Sequence, residues 1–155
     1  INLFRYIRTV YFANYQSLRL TVPDYIPLGY LLPEGNWAEC TQGLNGMVRV
    51  VSVERVLKAC QCLGKGKLRI GIKDTMVPQN AGVWNLEFEE GKENRVTKCQ
   101  EEPDVQMPIH IFSALICGIR SARDLPYMPE VSVVHEQAPL DSVFYKKPCH
   151  VLDLF

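Results

Sequence analysis

The sequence predicts an α+β fold, because its helical segments and its strands of antiparallel character segregate along the chain instead of alternating strictly. The 155 residues are 47% hydrophobic and 22% charged, a composition typical of soluble globular proteins. Seventeen basic and seventeen acidic residues cancel, so the chain has no net charge to attract nucleic acid or an anionic membrane surface. No apolar stretch approaches the ~20 residues that span a bilayer, which excludes a transmembrane class.

The first part of the chain predicts a helix, a strand and a proline-rich linker. Residues 2–14 place apolar side chains at helical spacing, and residues 17–22 alternate apolar and polar side chains with the period of a half-buried strand. A short helix is predicted over 26–32. Residues 33–36 combine proline, glycine and asparagine, so we expect a domain boundary there.

The remainder of the chain carries the main sheet and two principal helices. Strands are predicted at 47–51, 68–73, 83–88 and 95–99, helices at 53–60 and 108–122, and a helical turn at 140–145. Ser52 is expected to cap the first of these helices, and residues 89–92 to form a hairpin turn. We expect Trp84, Leu86 and Phe88 to pack against Ile111, Leu115 and Ile119 of the second helix.

The cysteine and histidine spacings do not predict a metal or disulfide framework. Six cysteines, at 40, 60, 62, 99, 117 and 149, include no C-x-x-C pair, and the three histidines are widely separated. Several of the cysteines lie in apolar stretches, where a free thiol behaves as a small hydrophobe. We therefore predict no metal site and reduced thiols in a cytoplasmic protein.

One motif resembles a phosphate cradle. Residues 61–66 fit Q-x-x-G-x-G, the pattern by which N-acetyltransferases hold the pyrophosphate of acetyl-CoA. That chemistry needs a helix N-terminus after the motif, because its N–H groups and dipole face the anion. Here a predicted helix precedes the motif and a strand follows it, so we predict a structural turn. Nucleophile-elbow, P-loop and zinc-protease motifs are also missing from the sequence, and no active site is complete.

Three stretches in order resemble the C-terminal sterol-carrier-protein-like domain of N-acetyltransferases similar to the enhanced intracellular survival (Eis) protein. Residues 49–57 are similar to the family's strand-to-helix motif, with Ser52 where Asp is usual. The second stretch resembles a strand ending in Asp followed by N-x-G-x-W-x-L, here Asp74, Asn80, Gly82, Trp84 and Leu86. Residues 112–125 resemble the helix after the sheet.

The resemblance implies a mixed or antiparallel sheet with helices packed on one face. Residues 1–33 would be the tail of a second acetyltransferase-like (GNAT) domain, with a helix and a strand, and residues 34–155 the sterol-carrier-like domain. Acetyl-CoA would then be a co-substrate of the full-length enzyme, bound by upstream acetyltransferase domains of the same polypeptide and not by this chain.

The resemblance also implies which residues take part in the reaction. The family's terminal carboxylate, typically on an aromatic residue, assists proton transfer in the catalytic domain, and Phe155 fits that position. Asp153 is the nearest acidic residue for binding the amine substrate, such as an aminoglycoside or a lysine side chain. We expect a homo-oligomer in the full-length form, and no activity from this chain alone. Two other functions remain open: a lipid or acyl-chain carrier with a tunnel beneath the sheet, and a non-catalytic scaffold.

Overall fold

The computed structural model describes residues 2–11, 13–23, 25–26, 39, 41 and 47–149. These fall into two compact units, one within residues 1–45 and the other within residues 46–151. Within the described residues, no helix has both the length and the apolar character needed to cross a bilayer.

The first unit contains helix α1 (Asn2–Tyr11), which confirms the predicted helix with an earlier end. The alternating segment at 17–22, predicted as a strand, is not assigned to one, and it pairs with no strand among the described residues. A strand needs a neighbour for its backbone hydrogen bonds, and alternation of side chains cannot supply one. The predicted helix at 26–32 and the predicted boundary at 33–36 lie outside the described residues, apart from Ile26.

The second unit is built on a mixed five-stranded sheet, which confirms the predicted α+β class. In chain order its elements are α2 (Val53–Ala59), β1 (Lys65–Lys73), β2 (Gly82–Glu89), β3 (Arg95–Cys99), β4 (Val105–Pro108), α3 (Ile109–Ile116), β5 (Ser132–Val133) and α4 (Leu140–Val143). The strand order across the sheet is β3-β2-β1-β4-β5. All neighbouring strands are antiparallel except β1 and β4, which run parallel.

Alternation along β1 and β2 separates a buried face from a charged one. Leu68 pairs with Leu86 and Ile70 pairs with Trp84, and all four side chains are buried in the same core. Near the start of β1, Gly66 lies opposite Phe88, and a Cβ at Gly66 would come within 2.8 Å of the Phe88 ring. Only a residue without a side chain allows that ring to cover the strand.

The helices cover the buried face of the sheet. Ser52 caps α2 as predicted, its hydroxyl accepting a hydrogen bond from the Arg55 N–H at 3.4 Å. Helix α3 contacts chiefly β1 and β4, while α2 contacts β3. Trp84, Leu86 and Phe88 of β2 share one buried core cluster with Ile111 and Leu115 of α3, in line with the predicted packing. The parallel pairing of β4 with β1 carries α3 over the middle of the sheet.

Helix α3 is also shorter than predicted. It ends at Ile116, and Gly118 follows in the left-handed region with φ +76. A Cβ at Gly118 would overlap the backbone and Cβ of Lys147, so the segment after α4 packs directly on this glycine. Ile119 is consequently outside the helix. The predicted strand at 47–51 is likewise not formed; instead the Val50 N–H donates to the Ser113 hydroxyl of α3 at 2.9 Å.

Candidate functional site

The signature residues Asp74, Asn80 and Trp84 form one buried hydrogen-bond network. The Asn80 amide donates to Asp74 Oδ2 at 3.0 Å, and its oxygen accepts from the Val53 N–H at the start of α2 at 3.1 Å. Trp84 Nε1 donates to the Asn80 carbonyl at 2.8 Å. The network joins α2 to the end of β1 and the start of β2, so this part of the motif is structural.

Asp74 is the buried anion of that network. Burial raises its pKa, but hydrogen bonds from Asn80 and the N–H groups of Val77 and Met76 outweigh that effect. The Arg49 guanidinium, 2.7 Å from Oδ1, adds to them. Together they lower the pKa of Asp74 to about 2, so its carboxylate stays charged throughout the physiological range.

We expect the Asp74→Asn variant to be less stable by about 1–3 kcal/mol near neutral pH. The reason is that the hydrogen-bond donors around the side chain lose a charged carboxylate as their acceptor. The folded pKa lies below the ordinary value, so this stabilisation is present above about pH 4 and is lost as the pH falls towards 2. Urea unfolding of both proteins across that pH range should show that the difference between their free energies of unfolding becomes smaller as the pH falls. A difference in stability that does not change with pH would contradict the lowered pKa of Asp74. The matched control is Glu54→Gln, because Glu54 belongs to an exposed ion pair.

The phosphate-cradle motif at 61–66 forms a turn between α2 and β1, as predicted. Gly64 has φ +69, and its N–H donates to the Glu90 carboxylate at 3.0 Å. Gly66 already belongs to the ladder between β1 and β2. A helix C-terminus precedes the turn, so the backbone dipole does not favour an anion there.

An apolar cleft of the second unit lies between the ends of α2 and α3 and the segment after α4. It has a volume of about 460 Å³ and apolar walls that include Val56, Ala59 and Ile116. Its polar groups are the thiols of Cys60 and Cys117, with Tyr145 and Lys147 from the C-terminal segment. The Tyr145 hydroxyl donates to the Gln61 carbonyl at 3.2 Å, and the Lys147 ammonium donates to the Ile116 carbonyl at 3.2 Å.

The electrostatics of this cleft centre on its thiols. Burial raises the pKa of Cys117, and burial together with the thiols of Cys62 and Cys60 raises the pKa of Tyr145. Cys62 behaves in the opposite way: its pKa is lowered, first because the Cys60 thiol hydrogen-bonds to it. The sequence predicts reduced thiols that pack as small hydrophobes, and the C-x-C spacing at 60 and 62 is the signal in it that places two of them close together.

A second, polar cleft of about 470 Å³ lies at the β1–β4 side of the sheet. Asp104 accepts from the Arg69 N–H at 2.7 Å and from its guanidinium at 2.8 Å, and it lies 3.1 Å from His135 Nδ1. Burial raises the pKa of Asp104, but its hydrogen bonds and the charges of Arg69 and His135 lower it overall. The Asp104 carboxylate thereby ties β1 to the segment that follows β5.

The predicted site residues Phe155 and Asp153 lie outside the described residues, so their roles stay predictions. Among the residues that are described, no group of three or more His, Cys, Asp or Glu side chains is arranged to hold a metal ion.

The sequence profile of the sterol carrier protein domain (SCP2_2) matches residues 53–151. Because the match spans more than half of the chain, this protein belongs to the sterol carrier protein domain family. The prediction of that domain is confirmed. A search of curated protein sequences gave no match.

Solved structures share the fold at low sequence identity. A GCN5-related N-acetyltransferase from Anabaena variabilis ATCC 29413 is 22% identical, with a TM-score of 0.61 over 69% of this chain and 28% of its own. Eis1 from Mycobacterium abscessus is 24% identical, with a TM-score of 0.55 over 64% of this chain and 25% of its own. A GCN5-related N-acetyltransferase from Kribbella flavida is 21% identical, with a TM-score of 0.59 over 69% of this chain and 28% of its own. The chain thus resembles only a part, 25–28%, of each of these proteins.

Proposed function

We propose that this chain is the C-terminal part of an Eis-like GNAT N-acetyltransferase that transfers an acetyl group from acetyl-CoA to an amine. The observation that carries the proposal is the shared fold, which accounts for 28% of the chain in two solved GCN5-related N-acetyltransferases and 25% in Eis1. Acetyl-CoA would bind upstream. This chain would supply the Phe155 carboxylate, with Asp153 near the amine, and the contacts of a homo-oligomer.

Exposed apolar residues in the first unit support the proposed domain division at 33/34. Tyr6 on α1 is 57% exposed, and Tyr15 and Leu18 after the helix are 66% and 51% exposed. Apolar side chains concentrated on so short a segment are typical of a surface that another part of a protein covers. A second acetyltransferase-like domain, of which residues 1–33 would be the tail, accounts for this surface. It also accounts for the alternating segment at 17–22, which pairs with no strand in the described part of the chain.

The apolar cleft has the size, but not the position, that the alternative of a lipid or acyl-chain carrier requires. Its volume of about 460 Å³ falls within the ~300–1,000 Å³ of small-molecule sites. Its walls come from α2, from the end of α3 and from the C-terminal segment, and none of its lining residues belongs to a strand. It therefore differs from a tunnel beneath the sheet. A non-catalytic scaffold remains the third candidate.

Titrating this chain with two ligands discriminates these functions. We expect no calorimetric binding of acetyl-CoA, because the turn at Gly64 follows a helix C-terminus, and no saturable binding of a fluorescent fatty acid. Micromolar affinity for acetyl-CoA, abolished by Gly64→Asp, would contradict the upstream location of the donor site. Saturable fatty-acid binding, abolished when Ala59→Trp fills the cleft, would instead establish the carrier.

A further inference from the structure

Cys60 and Cys62 form a close pair of thiols beside the apolar cleft. Their sulfur atoms are 3.7 Å apart, and the Asn94 amide lies 3.5 Å from Cys60 Sγ and 3.9 Å from Cys62 Sγ. The same amide donates to the Leu57 and Cys60 carbonyls at 2.8 Å and 2.7 Å, which fixes the backbone that carries the pair. A disulfide bond is about 2.0 Å long, so a small rotation of the side chains would join the two sulfur atoms.

The surroundings of the pair give the two thiols different acidities. The Cys60 hydrogen bond lowers the pKa of Cys62; burial opposes it, while the Lys147 charge and the Asn94 amide assist it. That same hydrogen bond, together with burial, raises the pKa of Cys60. The Cys60 sulfur also lies 3.2 Å from the Leu57 carbonyl, an acceptor that only a protonated thiol can use. The geometry thus favours a proton on Cys60, which makes Cys62 the nucleophile and Cys60 the resolving thiol.

Access to the pair is through the cleft that Cys60 lines. Cys62 itself is only 7% exposed and does not line the cleft, so the approach to its sulfur is restricted to very small molecules. Cys117 lines the same cleft, but burial raises its pKa and makes it the weaker nucleophile. The pair thus combines a stabilised thiolate, a neighbouring thiol and an approach for a small molecule.

We propose that Cys60 and Cys62 are a redox-active dithiol that closes to a disulfide on reaction with a small hydroperoxide such as hydrogen peroxide. The Cys62 thiolate attacks one peroxide oxygen, the O–O bond breaks, and hydroxide leaves, which gives a sulfenic acid on Cys62. Cys60 then attacks that sulfur; its proton and the sulfenic hydroxyl leave as water. Two thiols and one peroxide give one disulfide and two waters, and the sulfur atoms supply both electrons.

The test treats the native chain with substoichiometric hydrogen peroxide, blocks free thiols with N-ethylmaleimide and digests with trypsin. Cleavage after Lys58 and Lys65 isolates residues 59–65, a peptide that holds both cysteines and no others. Formation of the disulfide appears as the loss of two hydrogens from the mass of this peptide. We expect it to proceed on the order of tenfold faster than the oxidation of Cys99, because a larger fraction of Cys62 is thiolate. Dithiothreitol should reverse the change.

Two serine variants provide the matched comparison. Cys60→Ser should stop the oxidation at a Cys62 sulfenic acid that dimedone captures, while Cys99→Ser should form the disulfide at the wild-type rate. Oxidation of the 59–65 peptide no faster in the native chain than in urea would overturn the proposal. So would a disulfide from Cys60 to Cys117 in its place. The measurement on the unmodified chain stands even if a variant fails to fold.

Discussion

Replacing Trp84 by alanine should destabilise the second unit by about 3–5 kcal/mol, the range for truncating a buried large aromatic side chain. Trp84 is only 7% exposed, its Nε1 donates to the Asn80 carbonyl at 2.8 Å, and the Lys98 ammonium lies 5.1 Å from its ring centroid. The substitution therefore leaves a cavity between sheet and helices and an unpaired carbonyl in the network that holds α2.

Equilibrium urea unfolding measures this loss, and two variants make it specific. Trp84→Phe keeps most of the ring but removes the N–H, so it should cost less than the alanine variant. Tyr127→Ala, at a residue that is 86% exposed, should change stability by no more than about 0.5 kcal/mol. A loss below about 1 kcal/mol for Trp84→Ala would place this face of β2 outside the core.

Local periodicity was sufficient to predict α2 and the first three strands of the sheet. The alternation of Leu68, Ile70 and Ile72 on β1 marks a face that the structure buries, and the turn before β3 lies at Glu90 and Gly91 as predicted. Ser52 was recognisable as a cap because capping depends on neighbouring residues alone. These features are local, and the sequence displays them directly.

Features that depend on distant residues were missed. Strands β4 and β5 have four and two residues, too few for a period to be distinguished, and β4 is defined by its parallel pairing with β1. The cleft is formed by Cys60, Cys117 and Tyr145, which are far apart in sequence and meet only after the helices pack on the sheet. The resemblance drew attention to Asp74 and Asn80, but only their contacts in the structure revealed a structural role.

The largest expected effect on function concerns Phe155. In the proposed enzyme its carboxylate lies near the reacting amine, where it holds the ammonium electrostatically or accepts its proton. An α-carboxyl has an ordinary pKa of about 3.3–3.7, so it is ionised at neutral pH but weakly basic, and desolvation would make it a better base. General acid–base assistance contributes about 10²–10⁴-fold to rate, and an extension beyond Phe155 should remove about that much turnover.

Folding should not change with the extension, because a chain terminus usually carries few stabilising contacts. The control for substrate binding is Asp153→Asn, which should raise the KM for the amine more than it lowers kcat if Asp153 binds the ammonium. This separates a terminal carboxylate that acts in the reaction from a neighbouring acid that only holds the substrate.

The most direct test of the account is therefore acetyl transfer from acetyl-CoA to an amine by the full-length polypeptide, with and without a few residues added after Phe155. We predict turnover lower by about 10²–10⁴-fold in the extended protein, at an unchanged melting temperature. Unchanged turnover in the extended protein would remove the terminus from the mechanism. No acetyl transfer by either protein would contradict the assignment of this chain to an N-acetyltransferase.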